Sequence, residues 1–461
     1  MIVKTFDWHG GALPVFEAIR DKPSVFFLDS SMPGNGLGRY SFLGFEPFGV
    51  LRAQANGNFL KSIRELLKKY KINSVNNLPF CGGAVGYISY DFGFCFEDIP
   101  QKPTDRLQLP TAVMGLYDTV IIVDHLKNKL HIVSTGLPEK NSSLARIRAK
   151  ERLGQVADIV NAASPIIVGT AQCAVPTPEM TNYDVKKDLD LVSSFTKEEY
   201  LSAVKKAKDY IRKGDIYQVN LSQSFSGRNK TDAYTLYQRL RSSSPSNFSA
   251  YFDCGDFQIL SSSPERFLDF DGKNVTTRPM KGTRKRGENK KQDRRLKNEL
   301  TKSAKDKAEL MMIVDLLRND LGRVCEYGSI KVKSMRDIET YSTVYQATAQ
   351  IEGVLHKDKD RIDLLRACFP GGSITGCPKI RSMQIIEELE PDKRHIYTGS
   401  LGYFGFNNTM DLNILIRTIL KKDDMIYFQT GGGIVADSDP ESEYEETLIK
   451  AQGIFKAIGN R

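Results

Sequence analysis

The chain has 461 residues, of which 40% are hydrophobic and 26% charged, and it carries a net charge of +9. That length suits two or three ordinary domains or one large α/β body in two halves, with core enough to need no disulfide or metal staple. The composition is that of a soluble globular protein, no stretch nears the roughly 20 apolar residues of a membrane span, and the start MIVKTFDWHGG lacks the apolar run expected of a secretory signal.

Residues 1 to about 135 mix short β-rich runs with Gly and Pro punctuation, predicting strands at 24–28, 120–124 and 130–133. Residues 142–163 predict an amphipathic helix with Leu144, Ile147, Leu153, Val156 and Ile159 on or near one stripe. Residues 164–181 hold Pro165, Pro176 and Pro178 among few charges, as a linker or crossover would. From about Thr196 the elements lengthen: a helix over 196–212, a strand over 218–224, and a helix over 293–317 around the apolar run 310–314. The division is an N-terminal region at 1–163, a crossover at 164–194 and a region at 195–461, with no internal repeat evident.

The seven cysteines (Cys81, Cys95, Cys173, Cys254, Cys325, Cys368, Cys377) are odd in number and lack CxxC spacing, which suits reduced thiols in a cytoplasm. Much of the positive charge is local. Residues 278–297 hold ten Lys or Arg against Glu288 and Asp293, with no aromatic residue to stack a base. The segment reads as a solvated loop and charged helix, or as an attractor for a small anion, rather than as a nucleic-acid platform.

Two glycine-rich segments stand out. Phe369-Pro-Gly-Gly-Ser-Ile-Thr-Gly-Cys-Pro-Lys379 leads into a helical pattern, where backbone N–H groups could meet an anion. It is neither a Walker loop nor a dinucleotide fingerprint, and alone it is equally a tight turn. Gly431, Gly432 and Gly433 follow a strand-like run and allow either close approach of a ligand carboxylate or a bulge. Glu443, Glu446 and Lys450 share one helical face, and so do Asp306 and Glu309. Two such faces could hold a hard cation such as Mg²⁺, or be solvated ion-pair faces. The five histidines lie largely outside these blocks, which gives a Ser-His-Asp or zinc mechanism little support.

The order of blocks is more specific than any one of them. Gly214-Asp-Ile-Tyr-Gln-Val-Asn-Leu-Ser222, Ser263-Pro-Glu-Arg-Phe267, Arg278-Pro-Met-Lys-Gly-Thr283, Asp315-Leu-Leu-Arg-Asn-Asp320, residues 369–379, Gly431-Gly-Gly-Ile-Val435 and Glu443-Tyr-Glu-Glu446 occur in sequence. This series resembles the catalytic region of the chorismate-utilising enzymes, the large components of anthranilate and aminodeoxychorismate synthases. The resemblance is strong over about 195–455 and weaker through Gly38-Arg-Tyr-Ser-Phe-Leu-Gly44 and Gly82-Gly-Ala-Val-Gly-Tyr87. It implies a large α/β (α+β) body in two halves, with antiparallel sheets packed face to face, helices outside, and a cleft holding one Mg²⁺.

The resemblance also implies roles. Gln218 stands where water-adding members carry a lysine base; a glutamine cannot deprotonate water, which points to ammonia as the nucleophile. Lys281 stands where anthranilate-forming members usually show alanine, so the pattern is closer to aminodeoxychorismate synthases. A neutral Lys281 amine could add to C2 of chorismate while the C4 hydroxyl leaves, with ammonia then entering at C4 and expelling it. Glu265 matches the acid assisting hydroxyl departure. Glu309 and Glu446 match the Mg²⁺ ligands, with Asp306 and Glu443 acting through water. Tyr403 and Arg417 match binders of the enolpyruvyl carboxylate, the amides of Gly431, Gly432 and Gly433 complete the carboxylate contacts, and Gly282, Thr283 and Ser373 line the pocket. Lys450 matches a lysine near the metal. Gln346 replaces a histidine tied in the family to anthranilate's ring-proton chemistry. No Cys-His-Glu amidotransferase block is visible, so a separate glutamine amidotransferase is the implied source of ammonia. Phe27-Leu-Asp-Ser30 lies where family members build an amino-acid pocket, filled by tryptophan in anthranilate synthases; a structural role is expected here. The rival of another class is a basic, non-catalytic binding protein.

Overall fold

The computed structural model describes residues 1–32, 37–53, 58–163, 189–340 and 344–459. Runs such as Thr119–Asp124 (TVIIVD) are rich in β-branched residues and buried at every position. A strand of that kind needs cover on both faces and belongs inside a layered body. Lys331–Thr340 shows the opposite texture, exposed and half-buried residues alternating, and it lies beside Val344–Val354 off the main strand path.

The strands form one twelve-stranded and one ten-stranded sheet, with every strand pairing among the described residues antiparallel except one isolated bridge. In the larger sheet Ile2–Asp7, Lys129–Ser134, Thr119–Asp124, Tyr40–Gly44 and Phe26–Asp29 follow one another, and Phe26–Asp29 then pairs with Phe248–Asp253. In the smaller sheet Gly83–Ile88 pairs with Ser400–Gly405. Strands from before residue 163 and after residue 195 are thus hydrogen-bonded neighbours in both sheets. The expected separation of 1–163 from 195–461 is therefore not a division of the fold: each region closes a strand edge that the other would leave open. Most of the expected crossover, 164–188, lies outside the described residues; its end, Leu191–Ser193, pairs with Gln218–Arg228.

Between the sheets, Phe26, Phe42 and Ile259 of one pack with Val85, Tyr87 and Tyr403 of the other. Helices cover the outer faces. Ala233–Ser243 and Pro440–Gly459 pack on the larger sheet, and Ala304–Gly322 and Arg361–Cys368 on the smaller. Burying each large apolar side chain contributes roughly 1.5–3 kcal/mol, which makes the packing of these four layers the main source of cohesion.

The helix expected over 196–212 is present as Lys197–Arg212, with Thr196 as its cap in a reciprocal pair with Glu199. The single helix expected over 293–317 is two, Lys290–Lys302 and Ala304–Gly322. They break at Ser303, whose backbone is extended and whose hydroxyl accepts the Asp306 N–H at 3.2 Å. A serine that satisfies an orphan amide favours a new helix start over continuation. Asp306 and Glu309 consequently fall in the first turns of a helix. Ser303→Ala is expected to lower stability by about 1 kcal/mol, and Ser303→Asn by much less, read as shifts in the urea midpoint.

Candidate active site

Met280–Lys285 pairs with Val344–Val354, but the register slips between Met280 and Thr283. Gly282 within the slip is left-handed, at φ +80°. An irregularity of this kind re-aims the neighbouring side chain, and only glycine enters that conformation without strain. A Cβ at 282 would also stand 2.9 Å from Leu300 Cδ1 and from Asp306 Cγ. Lys281 is turned by this slip towards the other sheet.

There it meets the glycine strand. Gly431, Gly432 and Gly433 continue Met425–Ile434 in unbroken register with Ser222, Leu221 and Asn220, so they are not a bulge. A Cβ on Gly433 would lie 3.0 Å from Lys281 Nζ and 2.7 Å from Gln218 Nε2. Bare backbone at 433 is what allows the amine and the amide to approach the same point. Gln218 opens the Gln218–Arg228 strand, is 1% exposed, and its Oε1 has no hydrogen-bond partner among the described residues.

Glu265 precedes Arg266–Phe270 and is buried. The Ser373 hydroxyl donates to its Oε1 at 2.6 Å. Burial pushes the Glu265 carboxyl up to about 7, against the Ser373 hydrogen bond and the charge of Lys281. Lys281 moves the other way. The residue is half-buried by surface area, but its amine sits deep enough for desolvation to lower its pKa, helped by Lys450 and opposed by Glu309, Glu446 and Glu265.

On Pro440–Gly459, Glu443 Oε2 and Glu446 Oε1 lie 3.1 and 3.5 Å from where a Gly432 Cβ would be. Lys450 Nζ donates to the Gly431 carbonyl at 2.9 Å and pairs with Glu446 at 2.7 Å. Burial raises Glu443, against the 2.6 Å hydrogen bond it accepts from Ser438. Burial also acts on Glu446, but Lys450 outweighs it and holds that carboxyl below its usual range. Glu309 is 4.0 Å from Lys305, and Asp306 is paired with Arg284 at 3.0 Å.

Among the described residues, no three His, Cys, Asp or Glu side chains gather into a ligand set. What the cleft offers a hard cation is oxygen donors from two helices, Glu309 and Glu446, with Glu443 beside bare Gly432. That donor chemistry fits Mg²⁺. Asp306, already taken by Arg284, is not brought into the set.

The remaining expected residues divide. Ser373 is in the cleft through Glu265, whereas Thr283 is exposed and pairs with Gln346 across the strands. Arg417 is half-buried and left-handed at φ +51°, an unfavourable conformation for a non-glycine residue that is held at functional sites. Tyr403 is not with the others: its ring stacks on Phe80 at 4.3 Å and meets Phe42 edge-on in the inter-sheet core. Asp29 of the expected amino-acid pocket is buried against Arg241 at 2.6 Å and Tyr237 at 3.0 Å, which gives it a structural task.

Sequence reasoning missed Glu390 and Arg394, a buried pair at 2.6 Å. Arg394 donates to the carbonyls of Ile374 and Asn220, each at 2.9 Å, and Glu390 accepts from Ser222 N–H and hydroxyl. The pair braces the segments that carry Ser373 and Gln218. Its i, i+4 spacing was visible but reads as an exposed helix pair.

An amine with a lowered pKa, a carboxyl with a raised one and open glycine backbone between two sheets are equipment for chemistry on a small anion. Over residues 24–456 the chain matches the family model described as chorismate binding enzyme. It is 37% identical to anthranilate synthase component 1 of Acetivibrio thermocellus over 97% of this chain and 92% of that protein. It is 35% identical to aminodeoxychorismate synthase component 1 of Bacillus subtilis (strain 168) over 91% of this chain and 89% of that protein. The solved structure of anthranilate synthase component I from Streptococcus pneumoniae TIGR4 matches with a TM-score of 0.77 at 30% identity, covering 92% of this chain and 93% of that one. The chain belongs to the chorismate-binding enzyme family.

Gly433→Ala tests the convergence. The added methyl intrudes on Lys281 and Gln218, and chorismate turnover is expected to fall about 100-fold while circular dichroism and the unfolding midpoint stay near those of the parent.

Proposed function

We propose that this chain is the large component of an aminodeoxychorismate synthase, replacing the C4 hydroxyl of chorismate by an amine on the way to 4-aminobenzoate and folate. The observation that carries this reading is the Lys281 amine, lowered in pKa and set beside Gln218 over Gly433. Ammonia comes from a separate glutamine amidotransferase subunit.

Neutral Lys281 adds to C2, both ring double bonds shift by one position, and the C4 hydroxyl departs as water with the proton of Glu265. Ammonia then bonds to C4, both double bonds shift back, and the C2–N bond breaks to release Lys281 as a neutral amine. The new C4 ammonium returns one proton to Glu265. Chorismate and ammonia thus become 4-amino-4-deoxychorismate and water, with both side chains restored. Gln218 excludes water as nucleophile by supplying no base and leaves an acceptor, Oε1, for an N–H donor. Arg417 and the Gly431 to Gly433 backbone hold the substrate carboxylates in this reading. A Mg²⁺ ion held by Glu309 and Glu446, with Glu443 in support, would neutralise the ring carboxylate.

The second reading is anthranilate synthesis, favoured by the names of several relatives. Incubation with chorismate, Mg²⁺ and ammonium, with products identified by mass, separates the two. We expect 4-amino-4-deoxychorismate; anthranilate as the sole product overturns the assignment. Lys281→Ala is expected to lose at least ~100-fold in rate, whereas undiminished product at saturating ammonium removes the covalent step.

The pH dependence follows from Glu265, which must be protonated to act as an acid. With its pKa raised to about 7, the protonated form dominates below that value and is lost above it. The ratio kcat/KM is expected to fall about tenfold per unit on the alkaline side. A kcat/KM that keeps rising past pH 8 removes Glu265 from that role.

A further inference from the structure

Outside the chorismate cleft lies a second cavity, of about 30 Å³, lined by Ser89, Asp91, Asp105, Thr111, Lys393 and His395. A space of that size takes one water-sized guest. Asp91 is 7% exposed and Ser89 3%. Asp91 Oδ2 accepts the His395 backbone N–H at 3.1 Å, but its Oδ1 and the Ser89 hydroxyl have no hydrogen-bond partner among the described residues. The same is true of the neighbouring Tyr90 hydroxyl and Glu387 Oε2. Buried polar atoms are almost always partnered, so the two on residues that line the cavity, Asp91 Oδ1 and Ser89 Oγ, call for a guest.

The charges around the cavity say which guest. Asp91, Asp105, Glu387 and Glu390 face Lys393 and Arg394. Arg394 is committed to Glu390 at 2.6 Å, and Lys393 lies 3.4 Å from Asp105. Asp392 is paired with Arg106 at 2.8 Å. The His395 ring is 3.7 Å from Asp91 and 3.6 Å from Asp105, and burial pushes its pKa down to about 4, so it is neutral at pH 7. Asp91 and Glu387 are left as buried carboxyls without a cation in hydrogen-bonding contact, and burial pushes them up to about 7 and about 8. Such a pair is neutralised either by a proton or by a bound cation.

We propose that this cavity is a binding site for one small monovalent cation, potassium or ammonium, held by Asp91 Oδ1 and Ser89 Oγ. Both ions have similar radii and take oxygen ligands. A divalent ion is disfavoured because Asp91 and Asp105 are the only carboxylates among the lining residues, and Asp105 is already paired with Lys393. The site does not depend on the reaction proposed above. It is connected to it, since the Glu390–Arg394 pair beside it holds the backbone at Ile374 and Asn220.

The test is the unfolding temperature of the full chain at constant ionic strength, with choline chloride replaced stepwise by potassium or ammonium chloride. We expect both ions to raise it saturably, by about 1–3 °C. The rise is expected to be larger at pH 8 than at pH 6, because a protonated Asp91 does not hold a cation. Asp91→Asn is expected to abolish the response, and Ser89→Ala to weaken it several-fold. Equal unfolding temperatures in all three salts overturn the proposal, as does an undiminished response in Asp91→Asn. A response to ammonium alone that survives Asp91→Asn places the ion in the chorismate cleft and rejects this cavity. Should Asp91→Asn fail to fold, Ser89→Ala decides: an unchanged response in it also rejects the site.

Discussion

The cleft depends on keeping one lysine amine out of water while surrounding it with charges that do not cancel. Burial and Lys450 press Lys281 towards neutrality, and Glu309, Glu446 and Glu265 press it towards the ammonium. At an effective dielectric of 20, two charges 4 Å apart interact by about 4 kcal/mol, or roughly three pKa units. A single unscreened carboxylate could therefore undo what burial achieves. Glu446 is countered by Lys450, and Asp306 by Arg284. These pairs add little to stability, being partly exposed. The Lys450 pairing blunts Glu446, which would otherwise recharge Lys281, and Glu265 is quieted differently, by holding its own proton up to about pH 7.

Neither sheet alone holds this arrangement. Lys281 belongs to the ten-stranded sheet, and Gln218 and Gly433 to the twelve-stranded one. The distance across the cleft is set by the aromatic layer between the sheets, where Tyr403, Phe80 and Phe42 are packed at ring separations of 4.3 to 5.6 Å. Strands from the N-terminal region supply none of the cleft residues named above, yet they complete both sheets and that layer. Their contribution to chemistry is indirect and geometric: close packing leaves the sheets little freedom to separate.

What was legible in the sequence was local. Strands over 120–124 and 130–133 and the helix ending at Arg212 follow from β-branching and period, and the structure brings Lys281, Gln218 and the glycines to one cleft. What was not legible depended on partners far along the chain. The region boundary looked real because texture changes near Thr196, but strand pairing ignores texture. Ser303 fell inside the single helix expected over 293–317, since nothing local shows which way its hydroxyl turns. On Ser142–Ala162 the apolar stripe was only half right: Val156 is buried, but Leu144 and Ile147 are about half exposed at 53% and 52%. Tyr403 was assigned by motif and went to the core, where an aromatic ring gains more from Phe80 than a strand sequence can reveal.

Gln346 bears on what the cleft can do with protons. It is buried, and it pairs across the strands with Thr283 on one side and Glu339 on the other. Glu339 is itself engaged by Arg278 and by the Thr348 hydroxyl at 2.9 Å. Thus the strand flanking Lys281 presents an amide, and the opposite sheet presents another in Gln218. Amides donate and accept hydrogen bonds but do not take up protons near neutral pH. Proton exchange near the amine is therefore left to the charged groups that act on it, Glu265, Glu309, Glu446 and Lys450. One carboxyl that gives a proton and recovers it is enough for a substitution that leaves the ring hydrogens in place.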